Sequence, residues 1–485
     1  MQRLSRYAEV ALIFGVTLAV RLYRLGEASL WTDEIFSWMV SHLTPGRIVA
    51  YLATGNNPPL WEMLLHFWRR GVGDTEEALR SLAALFNAGT AAGLYMWGRQ
   101  VGGPWAGWTA GLLWTFSLLG QTIGREARVY ALLSCLTVGA HLLFWRWVRT
   151  HKGFFLWLAS LWALFHTHYM GGIVIAWQLG VLLVWWRKKP SRFLWVGGVL
   201  ALMLALQGIL LMDRLSRPSE IGYVSFASLE SAYDMLRKFS NMPVPTVLAM
   251  SLLLAGTLLR LAHPARRSPE VTYIYLSFFV PFIGLWVAGT FLRIWNPRYL
   301  MPVAISYYVG LGVSLATLPL RWRIGAGSVV GLAWLLSWYP ALPGDGVRHQ
   351  EIGQLLQQKP PHQLLLVSPD YQAGILLYYP GDTTCTLLLK ESVNPLSAGT
   401  ECLAKHRRIR GVSFYGEIPP CELAATDTLW WLDYDICFSH PNTFLPELLW
   451  EEFQPIRCYS WEGKITLWVA VRRSALSLSH AKLPP

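Results

Sequence analysis

The chain has 485 residues, of which 53% are hydrophobic and only 14% are charged. A soluble chain of this length typically carries about 25% charged residues, so the composition argues against an ordinary soluble multidomain protein. The net charge of +12 does not indicate nucleic acid as a partner, because the Lys and Arg residues lie mainly in short loops between apolar runs. This arrangement is typical of a polytopic α-helical membrane protein.

The apolar runs predict about eleven transmembrane helices of roughly 17 to 22 residues each. The first run lacks a small-residue cleavage site and continues into Arg21, Tyr23 and Arg24, which favours an uncleaved span over a signal peptide. The predicted spans are 7–24, 78–98, 105–122, 127–147, 154–169, 171–186, 193–211, 244–262, 271–291, 299–319 and 324–340.

Six alternate connections are basic and carry almost no acids, which predicts that they face the cytoplasm. They hold Arg3/Arg6, Arg99, Arg146/Arg149/Lys152, Arg187/Lys188/Lys189/Arg192, Arg260/Arg266/Arg267 and Arg321/Arg323. The N-terminus is therefore predicted to be cytoplasmic in the cell (inner) membrane. Because the number of spans is odd, the C-terminus is predicted to lie on the opposite side of the membrane. The predicted transmembrane domain covers 1–340, with a first outer loop at 25–77, and the predicted extracytoplasmic domain covers 341–485.

Two adjacent carboxylates, Asp33 and Glu34, follow the first span. A carboxylate pair near a membrane surface can serve as a general base, a metal ligand or a binding group for sugar hydroxyls. The structural alternative is an acidic first turn of a helix through Ile35–Val40, with Thr32 as its cap.

The same loop contains Asn56-Asn57-Pro58-Pro59-Leu60-Trp61, which opens an amphipathic stretch to Arg70. Proline in the first turn is ordinary helix entry, and the tryptophans suit a helix at the membrane interface. A role for Asn57 in lining a site is the functional alternative.

A second outer segment carries Glu126, Arg128 and Tyr130. Glu126 and Tyr130 share a helix face if the span begins here, and Arg is a natural ligand for phosphate through its planar fork of donors. A local Glu–Arg pair that neutralises itself is the alternative.

Two further outer segments contain His166-Thr167-His168-Tyr169 and Asn296-Pro297-Arg298-Tyr299. Histidines two apart do not share a helix face, so a hydrogen-bonded structural role is the alternative for His168. An outer Arg298 departs from the orientation rule and would suit an anionic lipid headgroup, whereas snorkelling to the interface is its structural explanation.

Because no nucleotide-binding motif occurs, an activated substrate is expected to arrive already anchored to the membrane.

The last third of the chain is predicted to be a small α/β domain. Strands are predicted at Leu364–Val367, Ile409–Tyr415, Thr428–Asp433 and Ile465–Val471, and helices at Arg348–Gln358, Tyr371–Tyr379 and Thr443–Phe453. Five of the six cysteines lie here, namely Cys385, Cys402, Cys421, Cys437 and Cys458. In an oxidising compartment they allow up to two disulfides, whose pairing the spacing leaves open.

Several segments occur in a characteristic order: RLYRLGEASLWTDE, NNPPLW, LRSLAALF, GREARVYAL, HTHY and NPRYLMP. Over about residues 20 to 310 this order resembles bacterial members of the dolichyl-phosphate-mannose–protein mannosyltransferase-like group. These are GT-C-fold glycosyltransferases related to the lipid A aminoarabinose transferases. The C-terminal α/β region is also similar to the extracytoplasmic domain of many bacterial members.

The resemblance implies inverting transfer of a sugar from a polyprenyl-phosphate carrier to a hydroxyl of a lipid, glycan or protein acceptor. It implies that Asp33 is the catalytic base, with Glu34 beside it. Substrate-binding positions are implied for Glu126, Arg128, Tyr130, His168, Arg298, Tyr299 and Asn57. The resemblance requires no cofactor. It leaves open whether a divalent metal binds, for which Glu34 and His168 are the candidate ligands. Asn57 departs from the family, where many members have His, and this weakens any metal site or acceptor contact there.

Two other functions fit a polytopic chain of this composition. A lipid or solute transporter would be expected to show inverted repeats and broken central spans, whereas no repeat is evident here and the charged groups cluster towards one face. An O-antigen polymerase or ligase typically places its important Arg and His residues in a large late outer loop, whereas the acids of this chain come early.

Overall fold

A computed structural model describes residues 2–54, 57–186, 190–215, 226–262, 268–292, 294–339, 348–368, 373–379, 386–390, 409–414, 426–434, 451–462 and 465–474. The chain is mostly helical, with one six-stranded sheet. It divides into two compact units. The first unit comprises 1–25, 56–217 and 224–343, and the second comprises 26–55, 218–223 and 344–485.

The helices begin and end as follows in chain order: α1 (Gln2–Leu22), α2 (Thr32–Ser41), α3 (Pro45–Thr54), α4 (Leu60–Val72), α5 (Glu76–Thr115), α6 (Leu118–Gly124), α7 (Tyr130–Thr150), α8 (Phe154–Thr167), α9 (Gly172–Trp185), α10 (Pro190–Leu215), α11 (Leu229–Phe239), α12 (Pro243–Ala262), α13 (Pro269–Gly289), α14 (Met301–Thr317), α15 (Leu320–Ser337), α16 (His349–Leu356) and α17 (Ala373–Tyr378). Each of the eleven predicted spans overlaps one of them. The number that crosses the bilayer stays a prediction.

Three of the described helices are long and apolar enough to cross a membrane, by length and composition: Tyr130–Thr150, Pro243–Arg260 and Pro269–Gly289. Shorter apolar helices occur at Phe154–Thr167, Tyr169–Trp185, Leu194–Ala205 and Met301–Thr317. Large apolar side chains point outward from the first unit, with Leu202, Leu336 and Phe155 each about four-fifths exposed. Such a surface would be unfavourable in water and is favourable against lipid.

Helix α5 is a hairpin of two helical arms, because Gly103 has a φ of +79° and is followed by Pro104. The predicted spans 78–98 and 105–122 therefore form one tight antiparallel pair, and the second arm ends at Thr115, before the predicted end at 122. Small residues let the arms approach: a Cβ added to Gly98 would lie 2.6 Å from the carbonyl oxygen of Ala106. This is the close backbone packing that membrane helices use in place of a hydrophobic driving force.

A buried arginine joins α1 to the end of this hairpin. Arg21 is fully buried and donates from Nε to Asn87 Oδ1 at 2.8 Å. Its Nη atoms donate to the carbonyl oxygens of Thr115 and Trp114 at 2.8 and 3.2 Å. These carbonyls lie at the C-terminal end of α5, where helix geometry leaves them without intrahelical donors and where a cation is favourable.

The second unit contains a six-stranded sheet with strands β1 (Leu364–Ser368), β2 (Thr386–Lys390), β3 (Ile409–Phe414), β4 (Thr428–Tyr434), β5 (Phe453–Trp461) and β6 (Ile465–Arg472). The strand order is β3-β2-β1-β4-β6-β5. The first four strands are parallel, whereas β6 is antiparallel to β4 and β5. The described part of this unit combines helices with a sheet, and the extracytoplasmic α/β domain over 341–485 stays a prediction.

Strands β1, β3, β4 and β6 coincide with the four predicted strands, and α16 and α17 with two predicted helices. Strands β2 and β5 were not predicted. The helix predicted over Thr443–Phe453 lies almost wholly outside the described residues, as do Cys385, Cys402, Cys421 and Cys437. Cys458 lies on β5 and is exposed.

Helix α2 packs against α17 within the second unit, a contact that the sequence did not predict. The backbone N–H of Leu30 donates to Tyr379 Oη at 2.7 Å, and the rings of Trp38 and Tyr378 meet edge to face at 4.9 Å. A Cβ added to Gly374 would lie 3.1 Å from Cγ2 of Ile35 in α2, so the two helices are in close contact there. The segment that carries Asp33 is thus held by the C-terminal part of the chain.

We expect Gly98→Ala to lower the free energy of unfolding by about 1–3 kcal/mol, because the new methyl group would overlap a backbone oxygen that cannot rotate away. Thermal unfolding of the purified protein in detergent measures the effect. Gly331→Ala is the matched control, since nothing lies within 4 Å of its added Cβ. Equal thermal midpoints for both variants would contradict the close packing of the hairpin.

Candidate functional site

A salt bridge joins the segment before α7 to the segment before α14. Glu126 is 1% exposed and Arg298 is 30% exposed, and the two residues are 172 positions apart. Nη2 of Arg298 donates to both carboxylate oxygens of Glu126, at 2.9 and 3.1 Å. Glu126 therefore has a long-range partner, which the local Glu126–Arg128 alternative from the sequence did not include.

Aromatic rings surround this salt bridge. The guanidinium of Arg298 lies 5.6 Å from the centre of the Tyr130 ring, a cation–π distance. The ring of Tyr130 lies 5.7 Å from that of His168, which lies 5.4 Å from Tyr299. The structure thus brings together five of the predicted site residues from three separate stretches of the chain.

His168 has a defined hydrogen bond that sets its tautomer. It follows the end of α8 with an extended backbone, and its Nδ1 accepts from the N–H of Met170 at 3.1 Å. In the neutral ring the proton then resides on Nε2, which can donate to a substrate oxygen. Arg128 is buried and lies within electrostatic range of this ring.

Arg125 anchors the same segment to the end of α1. Its Nη2 donates to the carbonyl oxygens of Tyr23 and Arg24 at 2.7 and 3.0 Å. Because the last carbonyls of a helix lack intrahelical donors, the guanidinium acts as a C-terminal cap. Arg125 is therefore a structural residue that holds Glu126 and Arg128 in place.

Asp33 and Glu34 belong to the second unit, in the first turn of α2. Glu34 is buried, and its Oε2 accepts from the backbone N–H of Trp31 at 3.2 Å. This bond makes Glu34 part of the helix cap, and the capping position is Trp31 instead of the predicted Thr32. Asp33 is partly exposed at the second helical position, where the helix dipole favours a carboxylate.

Asn57 lies just before α4 in the first unit and is partly buried. The helix begins at Leu60 with Pro59 at the capping position, so the prolines precede the first turn instead of lying within it. Two residues of α4 escaped the sequence prediction: Glu62 and His66 are almost completely buried. Glu62 and His66 are four residues apart, as are the neighbouring Trp61 and Leu65, so all four lie on the same side of α4. That spacing was the sequence signal that they face inward.

The fold is similar to that of known membrane enzymes, although the sequence has no detectable relative. No protein-family model and no curated protein matches the sequence. ArnT from Cupriavidus metallidurans in the apo state aligns at 14% identity over 96% of this chain and 98% of its own, with a TM-score of 0.62. ArnT bound to undecaprenyl phosphate aligns at 14% identity over 95% and 98%, with a TM-score of 0.55. An Archaeoglobus fulgidus oligosaccharyltransferase tethered to an acceptor peptide aligns at 11% identity over 96% and 74%, with a TM-score of 0.50.

The chain has a GT-C fold. The resemblance inferred from the sequence is confirmed at this level, because ArnT is a lipid A aminoarabinose transferase and both kinds of neighbour are GT-C enzymes. The likeness extends over the second unit as well as the helical first unit, since it covers nearly the whole chain.

The predicted metal ligands, Glu34 and His168, do not form part of a metal-binding group among the described residues. Within the described ranges, no three His, Cys, Asp or Glu side chains come together in a group that could hold a metal ion. Glu34 and His168, the two candidate ligands, belong to different compact units, and each already accepts a hydrogen bond from a backbone N–H.

A double-mutant cycle would test the central salt bridge. Glu126→Gln and Arg298→Gln each remove one partner of a bond whose carboxylate is buried, so the pair should show a coupling energy of about 1–3 kcal/mol in unfolding measurements. Arg149 and Glu270 form the control pair: they also join distant segments, at 2.6 Å, but are 37% and 22% exposed. Their coupling should stay below about 1 kcal/mol. Additive effects at Glu126 and Arg298 would remove the salt bridge from its structural role.

Proposed function

We propose that the protein is a membrane glycosyltransferase that transfers a sugar from a polyprenyl-phosphate carrier to an acceptor hydroxyl. The shared fold carries this proposal: the chain aligns with 98% of ArnT, including the form bound to undecaprenyl phosphate. The ordered sequence segments support it independently. The proposed location is the inner membrane, with about eleven spans, a cytoplasmic N-terminus and an extracytoplasmic C-terminal domain.

In this proposal the guanidinium groups of the first unit bind the donor phosphate. Arg298 pairs with the buried carboxylate of Glu126, and Arg128 is buried two residues further along the chain, so these guanidinium groups outnumber that carboxylate. The phosphate gains negative charge as the bond between the anomeric carbon and the phosphate oxygen breaks. Arginine donors held rigidly beside that oxygen stabilise the transition state more than the ground state.

Asp33 is the proposed catalytic base. The acceptor oxygen attacks the anomeric carbon from the face opposite the phosphate, its proton passes to the Asp33 carboxylate, and polyprenyl phosphate departs with the electron pair. One inversion results, and no covalent enzyme intermediate is needed. Glu34 supports Asp33 by capping the helix that carries it.

Tyr130, Tyr299, His168 and Asn57 are the proposed binding groups for the sugar or the acceptor. Hydroxyl, imidazole and amide groups hydrogen-bond sugar hydroxyls, and the rings offer apolar faces. The ring contacts from Tyr130 through His168 to Tyr299 would keep these groups in fixed orientations, which favours a reactive substrate geometry.

Asp33→Asn should fold and insert but transfer sugar about 10²–10⁴-fold more slowly, because the amide cannot accept the acceptor proton. The assay offers purified protein a set of polyprenyl-phosphate sugars and measures polyprenyl phosphate release, with and without chelator. Asp74→Asn is the control, since Asp74 is 45% exposed and pairs with Arg69 at the surface. Full activity of Asp33→Asn would remove Asp33 from the base role.

Arg128→Gln should lower kcat/KM for the lipid donor by about 10²-fold, the usual effect of losing one donor to a developing anion. Arg149→Gln serves as control, because Arg149 lies in a connection predicted to be cytoplasmic and should leave the rate unchanged. The same release assay gives both values. An unchanged kcat/KM for Arg128→Gln would mean that the phosphate binds elsewhere.

A further inference from the structure

A cavity of about 450 Å³ lies in the second unit between α16 and the end of β5. The described residues that line it are Glu351, Gln354, Leu355, Gln358, Tyr459, Ser460 and Trp461. None of these residues belongs to the proposed transfer site. The size is within the range of small-molecule sites, about 300–1,000 Å³.

One wall of this cavity is aromatic. Tyr459 and Trp461 are two apart on β5, so their side chains share one face of the strand. Their rings stack at 6.5 Å with an angle of 26° between planes, and both are partly exposed. Strand β5 is at one end of the strand order, so the two rings form a platform at the edge of the sheet.

The opposite wall carries hydrogen-bonding groups in helical register. Glu351, Gln354 and Gln358 are spaced three and four apart, which puts them on one face of α16 and its continuation. The two amides offer both donors and acceptors, and both side chains are exposed. Leu355 is the one aliphatic residue among the described lining.

The carboxylate of Glu351 is fixed between the two walls. Arg348 Nη1 donates to its Oε1 at 2.9 Å, and Trp461 Nε1 donates to its Oε2 at 3.1 Å. These two hydrogen bonds lower the pKa of Glu351 below its usual range. The carboxylate is therefore ionised at neutral pH, accepts hydrogen bonds only, and sets the orientation of the Trp461 ring.

We propose that this cavity is a saccharide-binding site. A pyranose has an apolar face of C–H groups, which packs on the electron-rich face of an aromatic ring, and a rim of hydroxyls that both donate and accept. The Tyr459–Trp461 platform matches the first feature, and Glu351, Gln354 and Gln358 match the second. An acyl chain would not use these polar groups. The proposal concerns binding alone and does not depend on the transfer reaction.

Saturation-transfer difference NMR on the full-length protein tests the proposal. The protein is held in a detergent without a sugar headgroup, and the probes are the methyl glycosides of glucose, mannose, galactose and N-acetylglucosamine. At least one should receive saturation at its ring C–H protons, with a Kd of about 1 mM. Trp461→Ala should remove most of that signal, Trp461→Phe should retain part of it, and Gln354→Ala should weaken binding.

Gln454→Ala is the matched control, because Gln454 is exposed on the same strand and does not line the cavity. Its signal should equal that of the wild type, and equal thermal midpoints establish that the variants are folded. The proposal fails if no glycoside is saturated, or if Trp461→Ala and Gln354→Ala both bind as the wild type does. It also fails if none of the glycosides binds and a short Ser/Thr peptide binds in a way that Trp461→Ala abolishes.

Discussion

The buried salt bridge between Glu126 and Arg298 organises the first unit around its candidate site. A carboxylate that is 1% exposed is costly to ionise unless a partner compensates it. Arg298 supplies that charge from the segment before α14, and Tyr130 covers its guanidinium. The loop before α7 is therefore tied to the loop before α14, and the rings of His168 and Tyr299 pack beside the joint. Residues far apart in sequence consequently form one polar cluster among apolar helices.

Two pairs of arginines in the first unit have different roles, one structural and one proposed to bind phosphate. Arg21 and Arg125 donate to carbonyl oxygens at the ends of α5 and α1, so they hold the helices next to the segment that carries Glu126 and Arg128. Arg128 and Arg298 are the proposed ligands of phosphate. The backbone hydrogen bonds of Arg21 and Arg125 restrict the segments that they join, and in the proposed mechanism this would preorganise the second pair.

The sequence predicted the regular elements well where their signal is local. Apolar length located every predicted span on a helix, and strand-like composition located β1, β3, β4 and β6. It missed β2 and β5, and β5 is largely exposed along its length and lacks an alternating burial pattern. The candidate residues were found through their order along the chain. The partner of Glu126 was not, because a contact across 172 positions leaves no periodic signal.

Sequence alone predicted a helical membrane protein with an α/β region, because bilayer thickness and strand propensity act on neighbouring residues. The order of its segments gave the likeness to GT-C enzymes. Only the tertiary structure decided that Arg298 neutralises Glu126, that Glu34 is a helix cap, and that α2 packs on α17. Those outcomes depend on which distant groups meet once the chain is compact. Burial then makes each unpaired charge or N–H costly enough to select its partner.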